Sequence, residues 1–141
     1  MKPLAQWPLA ARRGLVGVLT DIDDTLTTDG AITADALQAL EDLKAAGLVV
    51  IAITGRPVGW CEPFACTWPV DAIVAENGAV ALKNLRKIGL QRTSLLREQL
   101  SKLYIQDAPT RRTNFARMQK VAQRVLAEVP GATLAADSPR A

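Results

Sequence analysis

The 141-residue sequence contains no histidine. That excludes a Ser-His-Asp triad, a Cys-His pair, a histidine general base and histidine metal ligands. Cysteine is scarce: only Cys61 and Cys66 occur. Two thiols do not complete a zinc site, and a secreted disulfide scaffold carries more of them. Two reduced, partly buried thiols in a cytoplasmic protein are the expectation. With aromatic residues only 4% of the chain, including one Tyr and two Phe, there is little to stack on nucleic-acid bases. No apolar run approaches the ~18–20 residues of a membrane span. Met1–Gly14 carries Lys2, Arg12 and Arg13 but no long apolar stretch, so it reads as an N-terminal extension rather than a signal peptide. What chemistry there is must come from carboxylates, hydroxyls, Lys, Arg or thiols.

The rest of the composition is that of a globular domain, 49% hydrophobic and 22% charged, which excludes wholesale disorder, collagen and coiled coil. The net charge of +3 is unevenly spread: residues 1–70 carry −3 and residues 71–141 carry +6. The basic residues are scattered over helical stretches. A solvated basic face, or attraction for a small anionic substrate, explains them better than nucleic-acid binding.

Leu15–Thr20 is a short apolar run after Gly14 and reads as a buried strand. It leads into Asp21-Ile22-Asp23-Asp24-Thr25, then turn chemistry at Thr27–Gly30. Thr33 is an N-cap candidate, Leu37, Leu40 and Leu43 follow at helical spacing, and Gly47 stops the helix. Leu48–Ile53 is a second strand, ending in Thr54-Gly55-Arg56-Pro57. Val58–Trp68 holds a short helix closed by Pro69. Ala72–Ala75 is a third strand, and Asn77-Gly78 is a type I′ turn signal before a returning strand at Val80–Leu82. Strands alternating with helices imply parallel βαβ units, and near-continuous apolar strands imply a sheet covered on both faces. Beyond residue 83, Ser94–Tyr104 and Thr110–Val129 read as helices. The second has a stripe of Phe115, Met118, Val121, Val125 and Leu126 expected to pack into the core. Pro130-Gly131 ends it, Ala132–Ala136 begins another strand, and Asp137–Ala141 has no pattern.

In an open α/β sheet, ligands bind at the carboxyl ends of the strands. Three strand ends here carry polar clusters: Asp21/Asp23/Asp24/Thr25, Thr54/Gly55/Arg56 and Glu76/Asn77. Parallel strands would bring all three to one edge. Asp21 and Asp23 lie two apart and would face one space, with Asp24 leaning away. A hard divalent cation such as Mg²⁺ relieves the repulsion of paired carboxylates and takes oxygen ligands and waters. One carboxylate can act as nucleophile, forming an aspartyl-phosphate, while its neighbour shuttles the proton. Thr54 can donate to a phosphate oxygen, and Gly55 allows close backbone approach. Arg56 either pairs with an anion or anchors the loop. Taken alone, an Asp-rich strand end is an ordinary turn; its place after an apolar strand, with Thr-Gly-Arg about thirty residues on, favours chemistry.

Those residues resemble the haloacid dehalogenase (HAD) superfamily of phosphohydrolases. The matching segments are LVGVLTDIDDTLT at Leu15–Thr27, LVVIAITGRP at Leu48–Pro57 and AIVAENGAV at Ala72–Val80. The pairing of T-G-R-P with E-N-G-A is similar to the Cof-type group, which includes sucrose-phosphate and mannosylphosphoglycerate phosphatases. The resemblance implies an α/β, Rossmann-like core with a parallel sheet over residues 15–82, after the extension 1–14. Residues 83–141 resemble the beginning of an α+β cap or a helical region. It also implies Asp21 as nucleophile, Asp23 as general acid/base, Mg²⁺ held by the Asp21 carboxylate and the Asp23 backbone carbonyl, and Thr54 holding the transferring phosphate. Gly55, Arg56 and Asn77 complete the candidate substrate site. The substrate would be a small phosphorylated metabolite of the sugar-phosphate class, with no nucleic-acid or membrane partner and the oligomeric state open.

Two departures stand out. The position after Asp23 is often Gly in this group and is Asp24 here. The group's later Lys and G-D-x-x-x-D segment have no counterpart after Gly78. The expectation is therefore a chain that stops within its cap and holds the nucleophile half of the enzyme. A phosphate- or metal-binding fragment without turnover is the alternative. A receiver-type phosphoacceptor domain fits less well, because its acceptor Asp belongs at the end of the third strand, where this chain has Ala75-Glu76-Asn77.

Overall fold

A computed structural model of the protein describes residues 3, 6–85 and 100–134. A four-residue helix, α1 (Leu9–Arg12), buries none of its side chains. The first apolar run becomes strand β1 (Gly17–Asp21), two residues further on than its hydrophobicity suggests. The Asp-rich segment then curls around the Ile22 carbonyl, which accepts from the Leu26 and Thr27 amides, both at 3.0 Å, and from Thr27 Oγ1 at 3.0 Å. Strands β2 (Thr27–Thr28) and β3 (Ala31–Ile32) form a tight antiparallel hairpin. Its turn, Asp29-Gly30, has φ of 51° and 79°, the positive values that Asp-Gly supplies at low cost.

Helix α2 (Ala34–Ala45) starts where Thr33 Oγ1 accepts the Ala36 amide. It ends at Gly47, whose φ of 80° lets the Gly47 and Leu48 amides fold back onto Lys44 and Leu43 carbonyls at 3.0 and 3.1 Å. Strand β4 (Val49–Ile53), helix α3 (Val58–Thr67) and strand β5 (Ala72–Ala75) follow as read from the sequence. The Asn77-Gly78 turn also forms: the Ala79 amide donates to the Glu76 carbonyl at 3.1 Å, with φ of 53° and 101° at the two central residues. It feeds β6 (Val80–Asn84). The described chain resumes with β7 (Leu100–Tyr104) and α4 (Ala108–Glu128).

The sheet order is β1-β4-β5-β6-β7. Strands β1, β4 and β5 are parallel, and β6 and β7 return antiparallel. The fold is thus α/β and Rossmann-like, with helices α2 and α3 on one face. Under them lies the core, including Ile22, Leu40, Val50, Ile73, Val80 and Leu82, all essentially without solvent contact.

Four expectations need correction. Leu100–Tyr104 is a strand, not the end of a helix; the i, i+3 spacing of Leu100 and Leu103 is helical, and the ladder to β6 overrides it. Residues 94–99 of that expected helix lie outside the described residues. The α4 stripe is not core: no α4 residue is buried, and Val121 is 63% exposed. Ala132–Leu134 has no strand structure, and residues 135–136 lie outside the described ones. Finally, among the described residues helices cover the sheet on one face only. Leu19 and Val49 sit on the other face at 68% and 47% exposure, because both described long helices that pack on the sheet lie on the same side.

Candidate active site

The parallel arrangement of β1, β4 and β5 brings their three carboxyl ends, and the polar clusters after them, to one edge. The loops are laced together by backbone. The Thr54 amide donates to Val74 at 2.9 Å, Asn77 to Thr54 at 3.2 Å and Glu76 to Arg56 at 3.1 Å. Asn77 supports this with a left-handed φ of 53°, which Asn tolerates better than most residues. A methyl group at Gly55 would stand 3.0 Å from Asn77 Oδ1. Gly55 and Asn77 are therefore packed against each other across the two loops.

Asp23, Thr54 and Arg56 form one hydrogen-bonded unit. Arg56 Nε donates to Asp23 Oδ1 at 2.7 Å, and Arg56 Nη2 pairs with the same oxygen. Thr54 Oγ1 donates to Asp23 Oδ2 at 3.1 Å and accepts the Arg56 amide at 3.1 Å. Thr54 is buried, and the Arg56 side chain is 19% exposed. The Arg56 guanidinium holds the Asp23 carboxyl below the ordinary carboxylate range; partial burial opposes this and the Thr54 hydrogen bond assists it. Of the two roles the sequence leaves open for Arg56, the structure thus displays an ion pair to Asp23. The sequence reading of Thr54 as a phosphate donor finds its hydroxyl turned to Asp23.

Asp21 lies at the same edge but shares no hydrogen bond with this unit. It is exposed at the end of β1, and Thr25 Oγ1 donates to its Oδ2 at 3.4 Å. Asp24 adopts φ of 55°. Its left-handed backbone explains why Gly suits the position, and why Asp is tolerated there.

Three contributors escape the sequence-based site. Glu76 Oε1 accepts the Val58 amide at 3.1 Å, capping α3, which has no side-chain cap of its own at Pro57. The missing cap was the available signal. Trp60 lies under Arg56, with 5.1 Å from the guanidinium carbon to the ring centroid; the i, i+4 spacing of Arg56 and Trp60 hints at it. Cys61 is fully buried behind them, and burial pushes its thiol up to about 11.

Among the described residues no three Asp, Glu or Cys side chains cluster as a metal cage. A Mg²⁺ ion does not require one, since it takes one or two carboxylates with waters. The exposed Asp21 carboxylate, with one long hydrogen bond, has the chemistry of such a ligand, so the residues present are compatible with the ion. No helix among the described residues is long and apolar enough to cross a membrane.

A family model for haloacid dehalogenase-like hydrolases matches residues 18–118. No functionally curated protein matches the chain in sequence. Among solved structures, a phosphatase of the haloalkanoate (HAD) superfamily from Bacteroides thetaiotaomicron is similar over 86% of this chain and 40% of its own, at 19% identity and a TM-score of 0.53. A hypothetical protein from Geobacillus kaustophilus is similar over 81% of this chain and 37% of its own, also at 19% identity and 0.53. A sugar phosphatase of HAD subclass IIB aligns over 46% of this chain and 27% of its own, at 28% identity and a TM-score of 0.39. The chain thus spans less than half the length of each of these three structures.

Proposed function

The chain belongs to the haloacid dehalogenase-like hydrolase family, and on that premise we propose that it serves the Mg²⁺-dependent hydrolysis of a small phosphate monoester of the sugar-phosphate class. The observation that carries this reading is the convergence of Asp21, Asp23, Thr54 and Asn77 at the carboxyl edge of three parallel strands. The T-G-R-P and E-N-G-A segments support the sugar-phosphate class.

In this mechanism an Asp21 carboxylate oxygen attacks phosphorus and the P–O bond to the alcohol breaks. Asp23, held ionised while paired to Arg56, takes up a proton from solvent once that pairing is broken and gives it to the leaving oxygen. It then takes a proton from the water that attacks the aspartyl-phosphate, releasing inorganic phosphate and restoring Asp21. Thr54 and the Gly55 amide hold phosphoryl oxygens, while Asn77 fixes the position of Gly55. Asp21 and the Asp23 backbone carbonyl would hold Mg²⁺, which supplies charge neutralisation for the phosphoryl group.

The test is hydrolysis of p-nitrophenyl phosphate with MgCl₂, comparing the protein with Asp21→Asn. Asp21-dependent turnover supports the reading. A second reading is binding without turnover, in which Asp23 stays paired to Thr54 and Arg56. It predicts no hydrolysis but Asp21-dependent binding of beryllofluoride with Mg²⁺. Absence of both signals would sink the phosphatase assignment.

A further inference from the structure

The two oxygens of Asp23 are both occupied, and by the very donors an oxyanion at this edge needs. Arg56 provides Nε and Nη2 to Oδ1. Thr54 provides its only hydroxyl proton to Oδ2. Thr54 Oγ1 also accepts the Arg56 amide, so the hydroxyl can turn from Asp23 only by pointing its proton elsewhere around the same oxygen. A hydroxyl has one proton to give. It therefore cannot serve Asp23 and a phosphoryl oxygen at once.

Arg56 is placed to make the same change. Its amide is fixed to Thr54, one residue beyond Gly55, and its side chain is flanked by Asp23 on one side and Trp60 on the other. A guanidinium has five donors in a planar fork and binds carboxylate and phosphate by the same geometry. The Trp60 ring, 5.1 Å from the guanidinium carbon, supports the cation without using any of its donors on a carboxylate. Asp23 itself is 42% exposed in its side chain, so it can be rehydrated when released.

We propose that a phosphoryl group and the Asp23 carboxylate compete for the same donors, Thr54 Oγ1 and the Arg56 guanidinium, so that oxyanion binding and the release of Asp23 are one partner exchange. This deepens the phosphatase reading and rests on it. It assigns Arg56 as an oxyanion ligand whose availability Asp23 controls, and it couples the presence of the phosphoryl group to the freeing of the proton-carrying side chain. An aspartate that stays paired until the phosphoryl group arrives is not presented to other ligands at this edge.

The competition has a signature that simple charge repulsion lacks. Titration of tungstate into the 141-residue protein with MgCl₂, followed by calorimetry, gives the affinity for four forms: wild type, Asp23→Asn, Arg56→Gln and the double variant. Arg56→Gln should weaken tungstate roughly tenfold or more, the loss of charge-assisted hydrogen bonds. Asp23→Asn should tighten binding several-fold, and that gain should shrink in the Arg56→Gln background, where only Thr54 is left to be released. Arg56→Lys, which keeps the charge without the fork, should fall between wild type and Arg56→Gln. Trp60 emission should change on tungstate addition, a change absent from Trp60→Phe. Near-UV circular dichroism establishes that each variant is folded.

An equal gain from Asp23→Asn in both backgrounds would overturn the exchange in favour of plain repulsion. So would unchanged affinity in a folded Arg56→Gln protein. Binding that is lost in Thr54→Val but untouched by Arg56 substitutions would overturn the proposal while keeping the phosphatase reading. No tungstate binding by any form would overturn both.

Discussion

Lys44 Nζ lies 2.7 Å from Asp71 Oδ2, and that same oxygen accepts the Val50 amide at 2.7 Å. The pair sits at the sheet edge opposite the candidate site, and Lys44 also donates to the Leu48 carbonyl at 3.1 Å. It joins the end of α2 to the starts of β4 and β5. The relative height of those two strands fixes where Thr54 and Asn77 emerge at the far edge.

Replacing Asp71 should therefore cost more than removing a surface ion pair. Asp71→Ala loses a charged acceptor from a backbone amide as well as the Lys44 contact, and should destabilise by about 1–2 kcal/mol. Lys44→Met should cost no more than about 1 kcal/mol, since the pair is partly solvated. Urea unfolding of the two variants checks this; equal effects would mean the Val50 bond contributes nothing.

Gly17 is a packing requirement rather than a turn. A Cβ there would stand 2.6 Å from the Val49 carbonyl oxygen on the neighbouring strand. Backbone must shift to relieve that contact. Gly17→Ala should destabilise by about 1–3 kcal/mol, and hydrogen exchange should show faster opening of β1 against β4.

Cys61 should be inert to thiol reagents in the folded protein, because its buried thiol is pushed up to about 11. A raised folded-state value means the protonated form is favoured in the folded chain. That contribution is complete below the ordinary thiol range and is lost as pH rises through about 11. Denaturant midpoints should fall between pH 8 and pH 11, and part of that fall should disappear in Cys61→Ala.

The apolar stripe of α4 should tolerate charge. Met118 and Val121 are at least half exposed, so Met118→Lys and Val121→Lys should each alter stability by no more than about 0.5 kcal/mol. A loss of several kcal/mol on thermal or urea unfolding would show that the stripe is packed in the protein as measured.

The order β1-α2-β4-α3-β5-β6 was legible because these elements carry their own stop and start signals: Thr33 and Gly47 around α2, Pro57 before α3, Asn77-Gly78 between β5 and β6; the short α1 and the strands of the β2–β3 hairpin were not. Beyond Asn84 the signals weaken. The pattern Leu-Ser-Lys-Leu-Tyr has helical spacing, and only the ladder to β6 selects the strand. The stripe on α4 shows that periodicity reports an apolar face but not whether anything covers it.

The candidate site divides in the same way. Asp21, Asp23, Thr54, Gly55, Arg56 and Asn77 stood out in sequence because strand ends in a parallel sheet share an edge. Their pairing did not, since Asp23 and Arg56 are 33 residues apart and no local rule joins them. Glu76 as the cap of α3 and Trp60 as the platform for Arg56 likewise depend on two loops meeting.

By itself the sequence determined the family, the parallel core and the set of chemically able residues, because these follow from local periodicity, turn chemistry and short motifs. Tertiary structure alone decided which of those residues touch: it tied both oxygens of Asp23 to Thr54 and Arg56 while leaving Asp21 at the exposed strand end. Hydrogen-bond partners are chosen by distances of about 3 Å, and such distances between residues thirty positions apart exist only once β1 and β4 lie side by side.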